Sequence, residues 1–301
     1  MALPKSVCIP MLAIQMTEIV LIVMLNFITI LVFTKTRFLR RRRLYLVLNL
    51  AVIDMLVGGL SETNIFLKMG NLCHNWKVPV PGNDERNLCS LHLLFVIASV
   101  TNLVAISIER MHATFHPLRH RFIKKRTYSV IITVIWATAA SLTIAIVLTT
   151  DQEHKESLLI YYELNSFNAI SLLVICACYA SIAIKVHRGL HLLPHGAVSR
   201  ERKLSKTLFI LTVVSLLMWL PFTIGSFLQF STDILTSFLI KTRELWFNFV
   251  CIVLLYANSL FNPTLYAFRL PDFRRAMISL FCRARQRRFV PVLNQNVMHR
   301  V

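Results

Sequence analysis

Seven long apolar blocks constrain the fold of this chain more than any other feature of its sequence. They cover residues 11–33, 44–67, 88–111, 128–148, 164–186, 204–228 and 245–268. A helix that rises ~1.5 Å per residue crosses a ~30 Å hydrocarbon layer in about 20 residues, which is the length of these blocks. Strands of a membrane barrel would instead alternate in polarity over segments of ~10 residues. The pattern predicts an all-α membrane protein, a bundle of seven transmembrane helices.

The composition excludes a soluble globular protein. Hydrophobic residues make up 56% of the chain and charged residues 16%, whereas soluble domains carry about 25% charged residues. The formal net charge of +19 invites a nucleic-acid-binding interpretation. However, the basic residues do not form one face, because they are divided among four stretches that border the apolar blocks.

These four stretches predict the orientation in the membrane. Lys and Arg number six in residues 34–43, six in 110–126, six in 185–206 and eight after residue 268. Basic residues gather on the cytosolic side of membrane proteins. We therefore expect these stretches in the cytosol, the N-terminus outside, and no nucleic acid among the partners.

Polar residues inside the blocks form short patterns, one to a span. Each is costly in a membrane and is therefore a candidate for function. Asn26 stands in the first block, residues 50–54 read Leu-Ala-Val-Ile-Asp, and Glu109-Arg110-Met111 ends the third. Residues 218–221 read Met-Trp-Leu-Pro, and residues 262–266 read Asn-Pro-Thr-Leu-Tyr. In this order they resemble the first-span Asn and the LAxxD, DRY, CWxP and NPxxY motifs of the rhodopsin-like (class A) G-protein-coupled receptors.

The resemblance implies a plasma-membrane receptor and not an enzyme. Such a receptor would bind an extracellular ligand and activate heterotrimeric G proteins by opening the cytosolic end of its sixth helix. It would comprise an extracellular N-terminus (1–10), a seven-transmembrane domain (11–268), and an amphipathic helix with a basic cytosolic tail (269–301). The expected switch residues are Glu109, Arg110, Tyr179, Glu201, Pro221, Pro263 and Tyr266.

Asp54 is interpreted as a single carboxylate in the middle of a span, which must be hydrated, paired or protonated there. Ser99, Asn258, Ser259 and Asn262 could converge on it. As the resemblance implies, the group would hold a sodium ion in the inactive state. The alternative is a polar network that joins helices without an ion.

The expected ligand pocket lies above the kink at Pro221, on the outer halves of spans three, six and seven. Its predicted lining is His92, Trp219, Thr223, Phe227, Ile252 and Tyr256. Retinal-binding members need a lysine where Tyr256 stands, so no Schiff base can form. Amine receptors need an aspartate where His92 stands. The ligand class therefore stays open.

The cysteines depart from the family pattern, because residues 149–167, the expected second extracellular loop, contain none. Cys8, Cys73 and Cys89 are predicted to face outside. A bridge from Cys73 to Cys89 would close a loop of ~15 residues; alternatively, all three are free thiols.

The segment after the seventh span predicts a short amphipathic eighth helix on the membrane surface. Its apolar residues fall on one stripe, and basic residues beside them would face anionic lipid. The stripe comprises Phe273, Ala276, Met277, Leu280 and Phe281. Cys282 at its end is a palmitoylation candidate, with an unmodified thiol as the alternative.

Two other classes of membrane protein are alternatives to a receptor. A metal-dependent hydrolase would need three convergent ligands, and His187, His191 and His195 do repeat at a helical spacing. They lie in a basic cytosolic loop, which favours a solvated face. A small transporter would show repeats or several buried charges, whereas Asp54 is interpreted as nearly alone.

Overall fold

The computed structural model describes residues 5–36, 44–73, 82–149, 157–188, 210, 213–214, 217–221, 224, 238–269 and 273–280. Within these residues the regular structure is entirely helical. The helices are α1 (Lys5–Lys35), α2 (Tyr45–Leu56), a π-helix (Val57–Glu62), α3 (Thr63–Leu72), α4 (Gly82–Phe115), α5 (Pro117–Arg121), α6 (Lys125–Thr149), α7 (Ser157–Arg188) and α8 (Phe238–Arg269).

Six helical segments are long and apolar enough to cross a membrane. They are Ser6–Lys35, Tyr45–Asn71, Ser90–Phe115, Lys125–Leu148, Ser166–Lys185 and Trp246–Leu265. They coincide with the first, second, third, fourth, fifth and seventh blocks of the sequence, and we number the spans accordingly. The sixth block, 204–228, lies mostly outside the described residues, although 217–221 within it are helical.

The second span is α2, the π-helix and α3 joined end to end. Gly58 in the π-helix lies against the first span, where a Cβ atom on Gly58 would meet Ile22 Cγ2 at 2.6 Å. Only glycine therefore permits this approach. The side-chain hydroxyl of Thr63 donates to the Gly58 carbonyl, five residues earlier, over 3.2 Å.

The first and second spans run antiparallel in a register that three contacts define. The register is set at one end by a disulfide between Cys8 and Cys73 and further along the bundle by the approach of Ile22 to Gly58. Glu18 and Glu62 lie between these two levels. Positions at equal depth on the two spans therefore face each other along most of their length.

The core is a set of apolar clusters that extends from one end of the bundle to the other. One cluster includes Val32, Leu50, Ile106 and Tyr179. The middle cluster includes Ile53, Phe95 and Tyr256, and the cluster around the disulfide includes Met11, Met69 and Phe249. Polar side chains buried between these layers are the positions where function is expected.

The segment 273–280 after the seventh span is helical. Phe273 and Ala276 are buried in the core cluster that contains Val32, and the rings of Phe273 and Phe33 lie 5.3 Å apart. Arg274 and Arg275 are exposed. The expected apolar stripe therefore faces the bundle over this stretch, and Phe281 and Cys282 lie outside the described residues.

Candidate functional site

Asp54 lies at the centre of the bundle, and two of its expected partners bind it. Ser259 Oγ donates a hydrogen bond to Asp54 Oδ1 over 2.8 Å, and Asn262 Nδ2 donates to Oδ2 over 2.5 Å. Asn26 Nδ2 donates to the main-chain carbonyl of Ser259 over 3.0 Å. The second span is thus joined to the seventh, and the seventh to the first.

The other two expected partners are buried nearby but do not contact the carboxylate. Within the described part of the chain, no hydrogen bond joins Ser99 or Asn258 to Asp54. The oxygens Asn258 Oδ1 and Asn262 Oδ1 are buried and accept no hydrogen bond there. Carbonyl oxygens beside a buried carboxylate are suitable ligands for a sodium ion, so the residues present fit such an ion.

In the half of the bundle that contains the Cys8–Cys73 disulfide, His92 and Tyr256 form a hydrogen-bonded pair. The Tyr256 hydroxyl lies 3.0 Å from His92 Nδ1, and the two rings meet edge to face. Ile252 packs against the cluster that contains Tyr256. The third and seventh spans thus bring together three of the six expected pocket residues.

The sixth-span members of the expected pocket are described only in part. Trp219 is buried against Val96 and Val100 of the third span and Leu255 of the seventh. Pro221 lies in the same short helical stretch. Thr223 and Phe227 lie outside the described residues.

Two further carboxyl groups are buried on the disulfide side of Asp54, and the sequence interpretation did not include them. Glu18 of the first span is 5% exposed and Glu62 of the second span is 0% exposed. The view of Asp54 as a nearly solitary intramembrane acid is therefore wrong. Both glutamates stand inside apolar blocks of the sequence, and this signal alone would have been sufficient to find them.

At the opposite end of the third span, Glu109 holds Arg110 in an ion pair in which both side chains are buried. Glu109 Oε1 also lies 2.7 Å from His120 Nε2 and accepts a hydrogen bond from the Tyr128 hydroxyl over 3.1 Å. His120 belongs to α5, which turns back beneath the third span. No sequence pattern predicts the His120 and Tyr128 contacts, because they depend on that turn.

Two of the remaining switch residues are buried in the bundle, and two are outside the described side chains. Tyr179 of the fifth span is buried in the core cluster that contains Ile106 and Tyr128. Pro263 lies inside α8 and is buried. Tyr266 lies on the same helix, but its side chain is outside the described set, and Glu201 lies outside the described residues altogether.

The predicted disulfide between Cys73 and Cys89 is wrong. Cys73 bonds to Cys8, with their Cα atoms 5.8 Å apart and a sequence separation of 65. The antiparallel register of the first two spans brings the start of α1 to the end of α3. The bridge therefore ties the N-terminal segment to the second span instead of closing a short loop before the third.

The histidine repeat at residues 187, 191 and 195 lies beyond the described side chains. Among the described residues, no group of three or more His, Cys, Asp or Glu side chains is arranged to hold a metal ion.

Comparison with known proteins agrees with this geometry. The family described as 7 transmembrane receptor (rhodopsin family) matches residues 25–266. Somatostatin receptor type 2 of Sus scrofa is 28% identical over 258 residues, which cover 78% of this chain and 67% of that receptor. Trace amine-associated receptor 5 of Mus musculus is 30% identical over 269 residues, covering 79% and 75% respectively. Galanin receptor type 1 of Rattus norvegicus is 24% identical over 215 residues, covering 64% and 61%.

A helical bundle with a buried carboxylate at its centre and an arginine ion pair at one end defines a membrane receptor of the seven-span class. The chain belongs to the rhodopsin family of G-protein-coupled receptors. It is a multi-pass membrane receptor and not an enzyme.

Proposed function

We propose that this receptor lies in the plasma membrane with its N-terminus outside and its C-terminus in the cytosol. In this orientation it binds an extracellular ligand and activates heterotrimeric G proteins through cytosolic opening of a sixth transmembrane helix. The basic stretches beside the spans support this orientation, since they would face the cytosol and its anionic lipids.

One observation carries the proposal, namely the buried ion pair of Glu109 with Arg110 at the cytosolic end of the third span. Arginine is always charged and offers a fork of donors. While Glu109 binds the guanidinium group of Arg110, that group is not available to contact a G protein that docks there. Release of Arg110 is then the step that couples ligand binding to nucleotide exchange.

A second carboxylate, Glu201, completes the latch in this proposal. It stands twenty residues before Pro221, which corresponds to ~30 Å of helix and so to the cytosolic end of the sixth span. Glu201 would accept Arg110 across the gap between the helices. Opening of the sixth span would break that contact.

The ligand would sit between His92, Trp219, Thr223, Phe227, Ile252 and Tyr256. The His92–Tyr256 pair supports this site because it offers both a donor and an acceptor to a neutral or anionic ligand group. A bound ligand would form hydrogen bonds with His92 and Tyr256 in place of the one that these two residues now share, which joins the third and seventh spans. Tyr256 provides no amine for a Schiff base, which supports a receptor that carries no retinal.

Asp54, Asn258 and Asn262 would hold a sodium ion when the receptor is inactive, with Ser99 and Ser259 beside them. The buried oxygens of the two asparagines support this assignment. The ion would supply a positive charge that neutralises Asp54 and favours one packing of the second, third and seventh spans.

The test is nucleotide exchange on a panel of purified G proteins, measured with the reconstituted receptor. We expect basal exchange from at least one G protein, a few-fold higher exchange for Glu201→Ala at matched receptor levels, and almost none for Arg110→Ala. Receptor that folds but leaves exchange unchanged on every G protein would refute the proposed function. Once a ligand is found, unchanged affinity in both His92→Ala and Tyr256→Ala would remove the pocket.

A further inference from the structure

Glu18 and Glu62 form a carboxyl pair between the first and second spans that the proposed function does not use. Their exposed fractions are 5% and 0%. The two groups are close enough to share a hydrogen bond when one of them carries a proton. They lie outward of Asp54 on the same pair of helices, between the Ile22–Gly58 approach and the Cys8–Cys73 bridge.

This pair has no positive partner among the described side chains. None of its four carboxyl oxygens receives a hydrogen bond there, and the described ion pairs all involve Glu109. Two ionised carboxylates cannot stay adjacent in a site of low dielectric unless a cation or a shared proton offsets their repulsion.

Two further polar side chains at this level are also without partners. Gln15 is 1% exposed and Ser61 is 2% exposed, and neither the amide of Gln15 nor the hydroxyl of Ser61 has a hydrogen-bond partner in the described structure. Gln15 lies one helical turn outward from Glu18, on the face of α1 that also buries Met11 and Ile22. Buried polar groups normally have partners, so these groups indicate that something is bound between the two helices.

The backbone explains why the groups meet. A π-helix carries an extra residue in its turn and recurs at functional sites, and here it ends at Glu62. It places Ser61 and Glu62 side by side, with both side chains buried. Gly58 lets this segment approach the first span closely enough for Glu62 to lie beside Glu18.

The donor set identifies the class of ion. Gln15, Glu18, Ser61 and Glu62 supply six unpartnered oxygens and no nitrogen or sulfur ligand. Calcium takes 6–8 oxygens in a flexible arrangement, whereas magnesium requires a near-ideal octahedron and usually binds one or two carboxylates together with several waters. The two carboxylates match a divalent charge. We infer that Gln15, Glu18, Ser61 and Glu62 form a calcium-binding site that draws on the extracellular ion and is separate from the sodium site at Asp54.

The site adjoins the ligand pocket through Tyr256. Both Glu18 and Glu62 act electrostatically on its phenol, which is bonded to His92. Binding of the ion would therefore change the electrostatic potential at the ligand pocket. Binding of the ion itself requires neither a ligand nor a G protein, so it is tested independently of the proposed function.

The test uses the purified full-length receptor, freed of metal with a chelator and titrated with calcium, magnesium or sodium chloride. We expect calcium to raise the thermal unfolding temperature by several degrees, with half-saturation at about 0.1–1 mM, as in extracellular calcium modules. Equilibrium binding of radioactive calcium should give one ion per chain.

Variants of the four proposed ligands test whether the calcium response comes from this site. Glu18→Gln and Glu62→Gln should each abolish the calcium response and raise the unfolding temperature of the metal-free receptor, because they remove carboxylate repulsion. Gln15→Leu and Ser61→Ala retain both acids and should weaken calcium binding about tenfold through one lost ligand each. Asp54→Asn, a carboxylate substitution on the same span, should leave the calcium response intact.

Two results would overturn the site. One is a receptor whose stability rises equally with calcium and magnesium and does so in Glu18→Gln and Glu62→Gln as well. The other is a wild-type receptor that ignores calcium but changes stability with pH, while the two Gln variants lose that pH response. The second outcome would show that the pair holds a shared proton and no ion.

Discussion

The indole nitrogen of Trp136 donates a hydrogen bond to Asn49 Oδ1 over 3.2 Å, which joins the fourth span to the second. Asn49 Nδ2 donates in turn to Asn102 Oδ1 over 3.0 Å, and Asn102 Nδ2 donates to the Leu46 carbonyl over 3.1 Å. Three spans therefore share one chain of polar contacts inside an apolar bundle. Such contacts between membrane helices contribute about 0.6–2 kcal/mol each.

This chain of contacts predicts a graded loss of stability. Trp136→Phe should cost about 0.6–1 kcal/mol because one hydrogen bond is lost. Asn102→Ala should cost more, because Asn49 and the Leu46 carbonyl both lose a partner. Thermal unfolding of the purified receptor measures both. Thr133→Val is the control, since its hydroxyl bonds only to Ser129 of its own helix and is exposed; equal effects for all three variants would contradict the prediction.

Removing the charge of Glu109 should activate the receptor without ligand. Glu109→Gln retains the shape but releases Arg110 from its ion pair, and a difference of about 1 kcal/mol corresponds to roughly a fivefold change in populations. Ligand-free nucleotide exchange at matched surface levels is the measurement. Tyr128→Phe should raise exchange less, because it removes one of several contacts to Glu109. His116→Ala, an exposed neighbour of His120, is the control, and the idea fails if it matches Glu109→Gln.

Gly58 should tolerate no side chain. Gly58→Ala would bring a Cβ atom to within 2.6 Å of Ile22 Cγ2 and 3.0 Å of Ile22 Cβ, so the first two spans must move apart. We expect a lower unfolding temperature and lower surface expression, partly restored by adding Ile22→Ala. Gly59→Ala is a closely matched control, since its nearest neighbour would be Val23 Cγ2 at 3.9 Å. Equal behaviour of the two alanine variants would show that the close approach has no consequence.

The disulfide predicts which cysteine variants behave alike. Cys8→Ser and Cys73→Ser should lower stability equally, by up to about 4 kcal/mol for a loop of this length. The double variant should be no worse than either single variant. Thermal unfolding without reductant, together with thiol counting, provides the measurement. Cys176→Ser, at an exposed free cysteine, is the control; a Cys89→Ser variant as unstable as Cys73→Ser would support the other pairing.

Sodium should act on the receptor through Asp54. Asp54→Asn keeps a group that can bond to Ser259 and Asn262 but removes the charge. We expect agonist affinity of the wild type to fall as sodium replaces a bulky organic cation at constant ionic strength, and the variant to show no such change. A wild type without any sodium response would favour a polar network that holds no ion.

The sequence was sufficient to predict the six spans that the described residues contain, because a hydrocarbon layer imposes a length and a polarity that are visible without any contact. Four polar residues were assigned to Asp54 for a similar reason, since few polar groups share that depth; Ser259 and Asn262 bind it, whereas no described hydrogen bond joins Ser99 or Asn258 to it. Glu18 and Glu62 were equally visible as charges in apolar blocks. Neither of them stands in a motif of the receptor family, so the resemblance did not point to them.

Other features could not be found in the sequence. The contact of His120 with Glu109 depends on how the chain turns after Phe115. The choice of Cys8 over Cys89 depends on the depth at which two antiparallel helices align, which no cysteine count reveals. The π-helix differs from an α-helix by one residue in a turn, and the pair Gly58-Gly59 was the only local hint of it.

The extra residue in the turn of the π-helix changes which side chains of the second span face the first span. One residue corresponds to about 100° of rotation in a helix, so everything beyond Glu62 on the second span is turned relative to a straight continuation of α2. Deleting a single residue within Val57–Glu62 would leave α2 in place and rotate Met69 and Cys73 away from the first span. A receptor of this family could thus gain or lose a bridge and an acidic site through one codon. Numerical alignment of its outer second span to a relative with a regular helix would then compare residues that face different neighbours.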